Sequence, residues 1–240
     1  MCDACGCGDT KIVTVELHER LLADNDRTAG HNREHLRAHG VASINLMGSP
    51  GAGKTALLEA TARAGRGRER LAAITGDLET ERDAVRVRAA GIRASAITTG
   101  SACHLDAEMV HHALHDDIAR DADYLFIENV GNLVCPAIYD LGQEASVVAL
   151  SVTEGEDKPL KYPVMLRHAD LVLLTKVDLL PALPDYDRRA VEDALALVMP
   201  SPRMIAVSAR SGEGIDQWME WLQRLRRPQA PRTAGAAMTT

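Results

Sequence analysis

The octapeptide GSPGAGKT, Gly48 to Thr55, limits the fold of this chain more than any other stretch. It matches G-x-x-x-x-G-K-[S/T], with the apolar run VASINLM (41–47) before it and the helix-forming TALLEATARAG after it. Such a loop works between a strand and a helix. Its glycines let backbone N–H groups converge on phosphate oxygens, and the helix N-terminus adds partial positive charge. Lys54 is then placed to reach the β- and γ-phosphates, and the Thr55 hydroxyl to ligate Mg²⁺. Gly48, Gly51, Ala52, Gly53, Lys54, Thr55 and Ala56 are the expected nucleotide contacts on this side.

Further apolar runs follow: LAAIT (71–75), ASAIT (94–98), DYLFIE (123–128), SVVALSV (146–152), DLVLLT (170–175) and RMIAVS (203–208). They are continuous rather than alternating and are separated by helical stretches such as ETERDAVRVRAAG and HLDAEMVHHALHDDIA. That pattern predicts an α/β fold, a P-loop NTPase with a mostly parallel sheet flanked by helices. The last helix, IDQWMEWLQRL, ends before Pro228, which sets a P-loop GTPase domain over residues 40–226. Residues 1–39 are expected to form a metal-binding arm and a polar helix, whose pattern spans Val13 to Leu36, running through Leu17, Leu21 and Leu22 and fading in the Gly30 and Asn32 region. The low apolar content of 227–240 predicts a disordered tail.

With aromatics at only 3%, the core must be built from Leu, Val, Ile and Ala. A net charge of -7 without a basic run argues against sequence-independent nucleic-acid binding. No stretch of about 18 apolar residues exists to span a membrane, and the N-terminus has no secretory apolar region. A cytoplasmic location with reduced thiols is the expectation, and there five cysteines suggest metal binding or redox work rather than a disulfide framework.

Base selection is expected at TKVD (175–178), where the Asp178 carboxylate can accept from guanine N1 and N2, a pattern adenine does not offer. Lys176, Asp178 and, in VSAR (207–210), Ser208 and Ala209 are the base-side contacts, with the Ala209 N–H facing guanine O6. Thr175 stands where Asn usually braces this loop against the P-loop, and its hydroxyl can do part of that work. ENVG (128–131) occupies the usual D-x-x-G position: Glu128 would hold Mg²⁺ through water and the Gly131 N–H would touch the γ-phosphate. Asp77 and Asp83 lie in TGDLETERDAVR (75–86), and one of them is expected to contact Mg²⁺ or orient the attacking water, although both can be read as helix-capping carboxylates. Lys54, Asp77, Asp83 and Glu128 form the catalytic set, with Thr55, Asp77 and Glu128 around Mg²⁺. No Gln follows Gly131, which predicts slow intrinsic hydrolysis.

Three cysteines, Cys2, Cys5 and Cys7, crowd the first seven residues; the other two are Cys103, next to His104, and Cys135, four residues past Gly131. Two thiolates and an imidazole suit Zn²⁺ or Ni²⁺. A water, a second subunit or a nearby His must complete the shell, and His104, Glu108, His111 and His115 fall at helical spacing as candidates. The plainer alternative makes the two cysteines small buried hydrophobes and the histidines a solvated face.

These stretches together resemble the HypB family, the nickel-insertion GTPases of [NiFe]-hydrogenase maturation. The likeness rests on C-x-x-C-G-C (Cys2 to Cys7), GSPGAGKT, D-x-x-T-x-x-D-A-x-R from Asp77 to Arg86, CHLDA (103–107), ENVGNLVCP (128–136) and TKVDLLP (175–181). The resemblance implies GTP/GDP and Mg²⁺ as nucleotide and cofactor, and Ni²⁺ or Zn²⁺ at Cys103, His104 and Cys135, between subunits of a homodimer promoted by GTP or metal. It also implies a nickel site at Cys2, Cys5 and Cys7 with the N-terminal amine as a further ligand, a HypA-type nickel accessory protein as partner, and delivery to the hydrogenase large subunit. Two departures stand out. His31, His35 and His39 are scattered among polar residues rather than massed in a His-rich storage stretch, and Thr175 replaces the commoner Asn, from which looser guanine selectivity is expected. The rival readings are a nickel or zinc storage protein with a vestigial nucleotide fold, a urease-type nickel GTPase, and a small-molecule kinase.

Overall fold

The computed structural model describes residues 9–226. The cysteine-rich arm (Cys2, Cys5, Cys7) and the tail 227–240 lie outside the described residues. The chain runs α1 (Asp9–Ala38), β1 (Ala42–Gly48), α2 (Lys54–Gly65), β2 (Leu71–Asp77), α3 (Arg82–Ala89), β3 (Arg93–Thr98), α4 (Ala107–His115) and β4 (Tyr124–Glu128). It continues through β5 (Ala145–Ser151), two short helices α5 (Lys158–Lys161) and α6 (Pro163–Arg167), β6 (Leu171–Thr175), α7 (Arg188–Val198), β7 (Met204–Val207) and α8 (Ile215–Leu225).

The seven strands make one sheet in the order β3-β2-β4-β1-β5-β6-β7, and every pairing is parallel. Each apolar run singled out in the sequence became one strand of it. Continuous apolarity follows from burial on both faces. Along β4, Tyr124 and Phe126 pack with Leu57, Trp218 and Leu222 of α2 and α8. Leu125 and Ile127 pack on the opposite side with Leu36, Val110 and Leu114 of α1 and α4. Trp218 is fully buried, and its indole N–H donates to Thr61 Oγ1 at 2.9 Å.

Two expectations need correction. The first helix does not fade at Gly30 and Asn32 but continues to Ala38. It is held there by the buried Ala29 and Leu36 and by a set of polar groups. Asn25 accepts from Ala107 N (2.9 Å) and donates to Asp140 O (2.9 Å), and the fully buried Asn32 donates to Ala107 O at 2.8 Å and Leu141 O at 3.3 Å. Arg33 adds an ion pair with Asp140. The helix is therefore docked on α4 and the loop after Tyr139. The second correction concerns α4, which starts at Ala107 rather than His104 because Asp106 caps it, accepting from Met109 N at 2.8 Å.

Candidate functional site

In a parallel sheet all strand C-termini face one edge, and the chemically distinctive residues gather there. Gly51 and Gly53 take φ of 75° and 94°, conformations that favour glycine, and bend the chain from β1 into α2. Gly53 caps α2 without a side-chain bond, and Leu57 N is the donor to Gly53 O (2.9 Å). The N–H groups of Lys54, Thr55 and Ala56 thus point out of the helix end, where an anion is favoured. Lys54 is buried, and its Nζ donates to Gly48 O and Ser49 O, both at 3.2 Å. Burial lowers its pKa, opposed by Glu128, Asp83, Glu154 and Asp77 in that order. Asp77 and Asp83 therefore both face this site. Asp77 ends β2 and accepts from Leu78 N (2.7 Å) and the Thr80 hydroxyl, while Asp83 lies 3.6 Å from Arg86.

Glu128 ends β4 and is buried, with Oε1 accepting from the Thr55 hydroxyl at 2.8 Å. Its Oε2 finds no partner among the described residues. Burial pushes its pKa up to about 7 against the pull of Lys54 and Thr55. A buried carboxylate oxygen without a donor, beside a threonine hydroxyl and below a phosphate loop, is an all-oxygen donor set that fits Mg²⁺.

Gly131 sits against the P-loop: a Cβ there would lie 2.9 Å from Pro50 Cα, so only glycine allows the approach. Next to it, Asn132 pairs with Gly48 in an antiparallel bridge. At the other end of the cleft, Thr175 Oγ1 donates to Ala52 O at 2.6 Å and also approaches Leu150 O at 3.3 Å, which is the brace anticipated for it. Asp178 accepts from Ser208 Oγ at 2.6 Å, and Ser208 Oγ accepts from Arg210 N and Ser211 N, which shapes the VSAR turn. A cavity of about 390 Å³ is lined here by Gly53, Ala56, Thr175, Lys176, Asp178 and Ala209. Its size and lining suit a purine ring.

Cys103, His104 and Cys135 converge: one ligand atom from each lies within 4.8 Å of the others. The two sulfurs are 3.1 Å apart, and Cys103 Sγ is 3.8 Å from His104 Nδ1. The thiols are free, with Cys103 exposed and Cys135 half-buried. The neighbouring Cys103 thiol and burial raise the Cys135 pKa, while an Asn132 hydrogen bond lowers it. His104 stacks on Tyr139 at 3.9 Å, and burial holds its pKa below the ordinary imidazole value. A neutral imidazole and two thiols are a ligand set for a borderline ion such as Zn²⁺ or Ni²⁺. The expectation that Glu108, His111 or His115 completes this shell is not met. Because α4 starts after His104, Glu108 faces His112 (3.8 Å) and His111 turns toward α1.

Several residues at the site had no role assigned from the sequence. The buried Asn129 accepts from Leu105 N (3.1 Å) and Val130 N (3.0 Å) and donates to Asn45 Oδ1 (3.2 Å), tying the Cys103–His104 loop to the end of β4. Asn132 donates to Cys103 O at 3.3 Å. In the P-loop, Ser49 donates to Glu154 Oε2 at 2.6 Å. All three lie inside motifs, Ser49 in GSPGAGKT and Asn129 and Asn132 in ENVGNLVCP, but motif membership names no hydrogen-bond partner.

Fold and site together define a P-loop NTPase of the metal-handling class, and the model of the CobW/HypB/UreG nucleotide-binding domain matches residues 42–201. The Azotobacter vinelandii hydrogenase maturation factor HypB is 50% identical over 223 residues, which cover 92% of this chain and 72% of that protein. Crystal structures of HypB from Archaeoglobus fulgidus (TM-score 0.79, 41% identity, 86% of this chain and 100% of that one) and of HypB from Helicobacter pylori in complex with nickel (0.80, 36%, 88% and 100%) superimpose on it. The chain belongs to the HypB family of hydrogenase maturation factors. No helix among the described residues is long and apolar enough to cross a membrane.

Proposed function

We propose that this protein is a GTP-hydrolysing nickel metallochaperone, working in the cytoplasm, that delivers Ni²⁺ to the [NiFe]-hydrogenase large subunit with a HypA-type partner. The observation that carries this reading is the convergence of Cys103, His104 and Cys135 within 4.8 Å on loops bonded to the nucleotide edge. It is supported by the relative crystallised with nickel.

GTP enters with its phosphates at the α2 N-terminus and its base in the cavity beside Asp178. Lys54 shifts from the Gly48 and Ser49 carbonyls to the β/γ-phosphates. Thr55, Glu128 and Asp77 would hold Mg²⁺, which would supply charge neutralisation for the phosphates. Asp77 or Asp83 orients the water that attacks the γ-phosphorus as the bond to the β–γ bridging oxygen breaks, leaving GDP and phosphate. With no Gln after Gly131, turnover is slow.

The metal site has three ligands from one chain and an exposed Cys103. Its fourth ligand comes from water or from the same site of a second subunit in a dimer promoted by GTP or metal. Residues 1–39 and 40–226 act as two functional units, with nickel captured at Cys2, Cys5 and Cys7 and then passed to the G-domain site. A storage role with a vestigial nucleotide fold is disfavoured because Lys54, Thr55 and Glu128 remain in mutual register.

The test is metal affinity at the G-domain site in the full chain carrying Ala at Cys2, Cys5 and Cys7. GDP and a non-hydrolysable GTP analogue should give affinities differing about 5- to 150-fold, and linkage requires metal to shift analogue affinity relative to GDP by the same factor. Equal affinities in both states would make the site structural and end the switch reading.

A further inference from the structure

Outside the nucleotide edge, α1 and α4 bring together the largest group of titratable side chains that the reading above leaves unused. Each helix carries histidines four residues apart on the side facing the other: His31 and His35 on α1, His111 and His115 on α4. The rings of His31 and His111 meet edge to face at 5.1 Å, those of His111 and His115 at 4.5 Å. His35 lies beside His39 at 4.5 Å and feels the charges of His31, His111 and His115.

Hydrogen bonding fixes the protonation of the central ring. Asn32 commits its amide N–H groups to Ala107 O and Leu141 O, so the oxygen that faces His111 Nδ1 at 3.0 Å must accept. His111 therefore carries its proton on Nδ1 and presents a lone pair at Nε2. In the metal-free protein His115 Nε2, 3.0 Å away, donates its N–H to that lone pair, a bond that an ion held by both nitrogens would replace. Two nitrogens each about 2.0–2.1 Å from one ion stand roughly 2.8–3.4 Å apart for bond angles between 90° and tetrahedral. An oriented imidazole whose far nitrogen is locked by a buried acceptor is the arrangement of metal-ligating histidines generally.

We propose that the α1–α4 seam is a second transition-metal site, in which Nε2 of His111 and Nε2 of His115 chelate a divalent ion of the Ni²⁺ or Zn²⁺ type and His31 or His35 of α1 completes the set. Imidazole is a good ligand for both ions. His31, His35 and His115 are exposed, so an ion reaches the pair from solvent and the α1 rings close on it by side-chain rotation. Burial and neighbouring imidazoles hold His35 and His111 below the ordinary histidine pKa, which favours the neutral, ligating form at neutral pH. Bound metal would fasten α1, which leads back to the cysteine arm, onto the helix that starts three residues after His104.

The test removes the thiol sites and keeps the chain whole. In the full-length protein with all five cysteines replaced by Ala, Zn²⁺ and Ni²⁺ titrations should give one ion per chain, with shifts confined to imidazole ¹⁵N resonances. His115→Gln, at an exposed position that cannot disturb packing, should weaken binding at least tenfold, and His111→Gln likewise. His112→Gln, which faces away toward Glu108, should leave affinity unchanged. The proposal is overturned if the cysteine-free chain, folded by circular dichroism, takes up no ion, or if His115→Gln binds as tightly as its parent.

Discussion

Glu128→Gln should make the nucleotide-free, metal-free protein more stable above neutral pH while abolishing Mg²⁺-dependent turnover. Burial raises the Glu128 pKa from 4.5 to about 7, so between those pH values the folded state binds a proton that the unfolded state has released. Stability from this group is therefore fully present below about pH 4.5 and is lost as pH rises through 7. A shift from 4.5 to about 7 corresponds to about 3 kcal/mol. Gln resembles the protonated acid in shape and keeps an oxygen to accept from Thr55, so it avoids that loss. Glu128 is also the largest favourable charge on Lys54, and removing it returns part of the gain, leaving a net stabilisation of about 1–3 kcal/mol at pH 8. The assay is urea denaturation of both proteins at pH 4, 5, 6, 7 and 8 in chelator: the stabilities should lie closest at pH 4, separate between pH 5 and 7 and change little relative to each other from 7 to 8. Parallel pH dependence in the two proteins would refute the account of Glu128 as a carboxylate strained by burial. The same account requires Mg²⁺ with nucleotide to expel a fraction of a proton near pH 7 in the native protein, visible as buffer-dependent heat in calorimetry.

Thr175→Ala removes the hydroxyl that joins Ala52 to the base loop and should lower stability by about 1–2 kcal/mol, since a buried carbonyl loses its donor; an unchanged melt with unchanged GTP affinity would deny the brace. Asp178→Asn should weaken GTP by several kcal/mol at most and favour xanthosine nucleotides, whose 2-oxo group accepts from the amide, and competition binding would reveal it. Triple replacement of Cys2, Cys5 and Cys7 by Ala should cost one bound Ni²⁺ with GTP turnover nearly intact, and in the native protein this uptake should fall below neutral pH because thiolate is the ligand form; unchanged stoichiometry would count against the arm. Asn132→Ala keeps all three G-domain ligands but loses the bond to Cys103 O, so it should reduce the nucleotide dependence of metal affinity by several-fold more than the affinity itself; a purely structural Asn132 would lower both together.

The strands were legible because a parallel sheet buried on both faces writes itself as unbroken apolar runs, and the P-loop because its glycines and lysine have no substitutes of equal geometry. Thr175 could be assigned a brace from its place alone. The docking of α1 could not be read, because periodicity arguments look for an apolar stripe and this seam relies on the amides of Asn25 and Asn32. The same limitation hid Asn129 and Asn132, whose value lies in which distant backbone groups they meet. Cys103 and Cys135 could be matched as ligand types, but their sequence separation gives no distance. Nor did it reveal Tyr139, whose ring fixes the plane of His104.

On the proposed reading, the sheet order puts metal and nucleotide at one edge and gives them a way to affect each other. β3 and β4 are not neighbours; β2 lies between them. The loop leaving β3 must therefore pass over the end of β2, where Asp77 sits, to bring Cys103 to Cys135 beyond β4. It is held in that crossing by Asn129 from β4's end and by Asn132, which also pairs with Gly48 of the P-loop. A nucleotide that draws Gly131 toward its γ-phosphate must move Asn132, because the two are adjacent and Gly131 already abuts Pro50. Moving Asn132 shifts Cys103 through its carbonyl and Cys135 through the chain, in directions set by different elements. Two ligands on separately anchored loops change their separation when one anchor moves, whereas ligands on a single helix would travel together. If nucleotide and metal bind as proposed, coupling between them needs no long-range wire; the crossing over β2 would supply it.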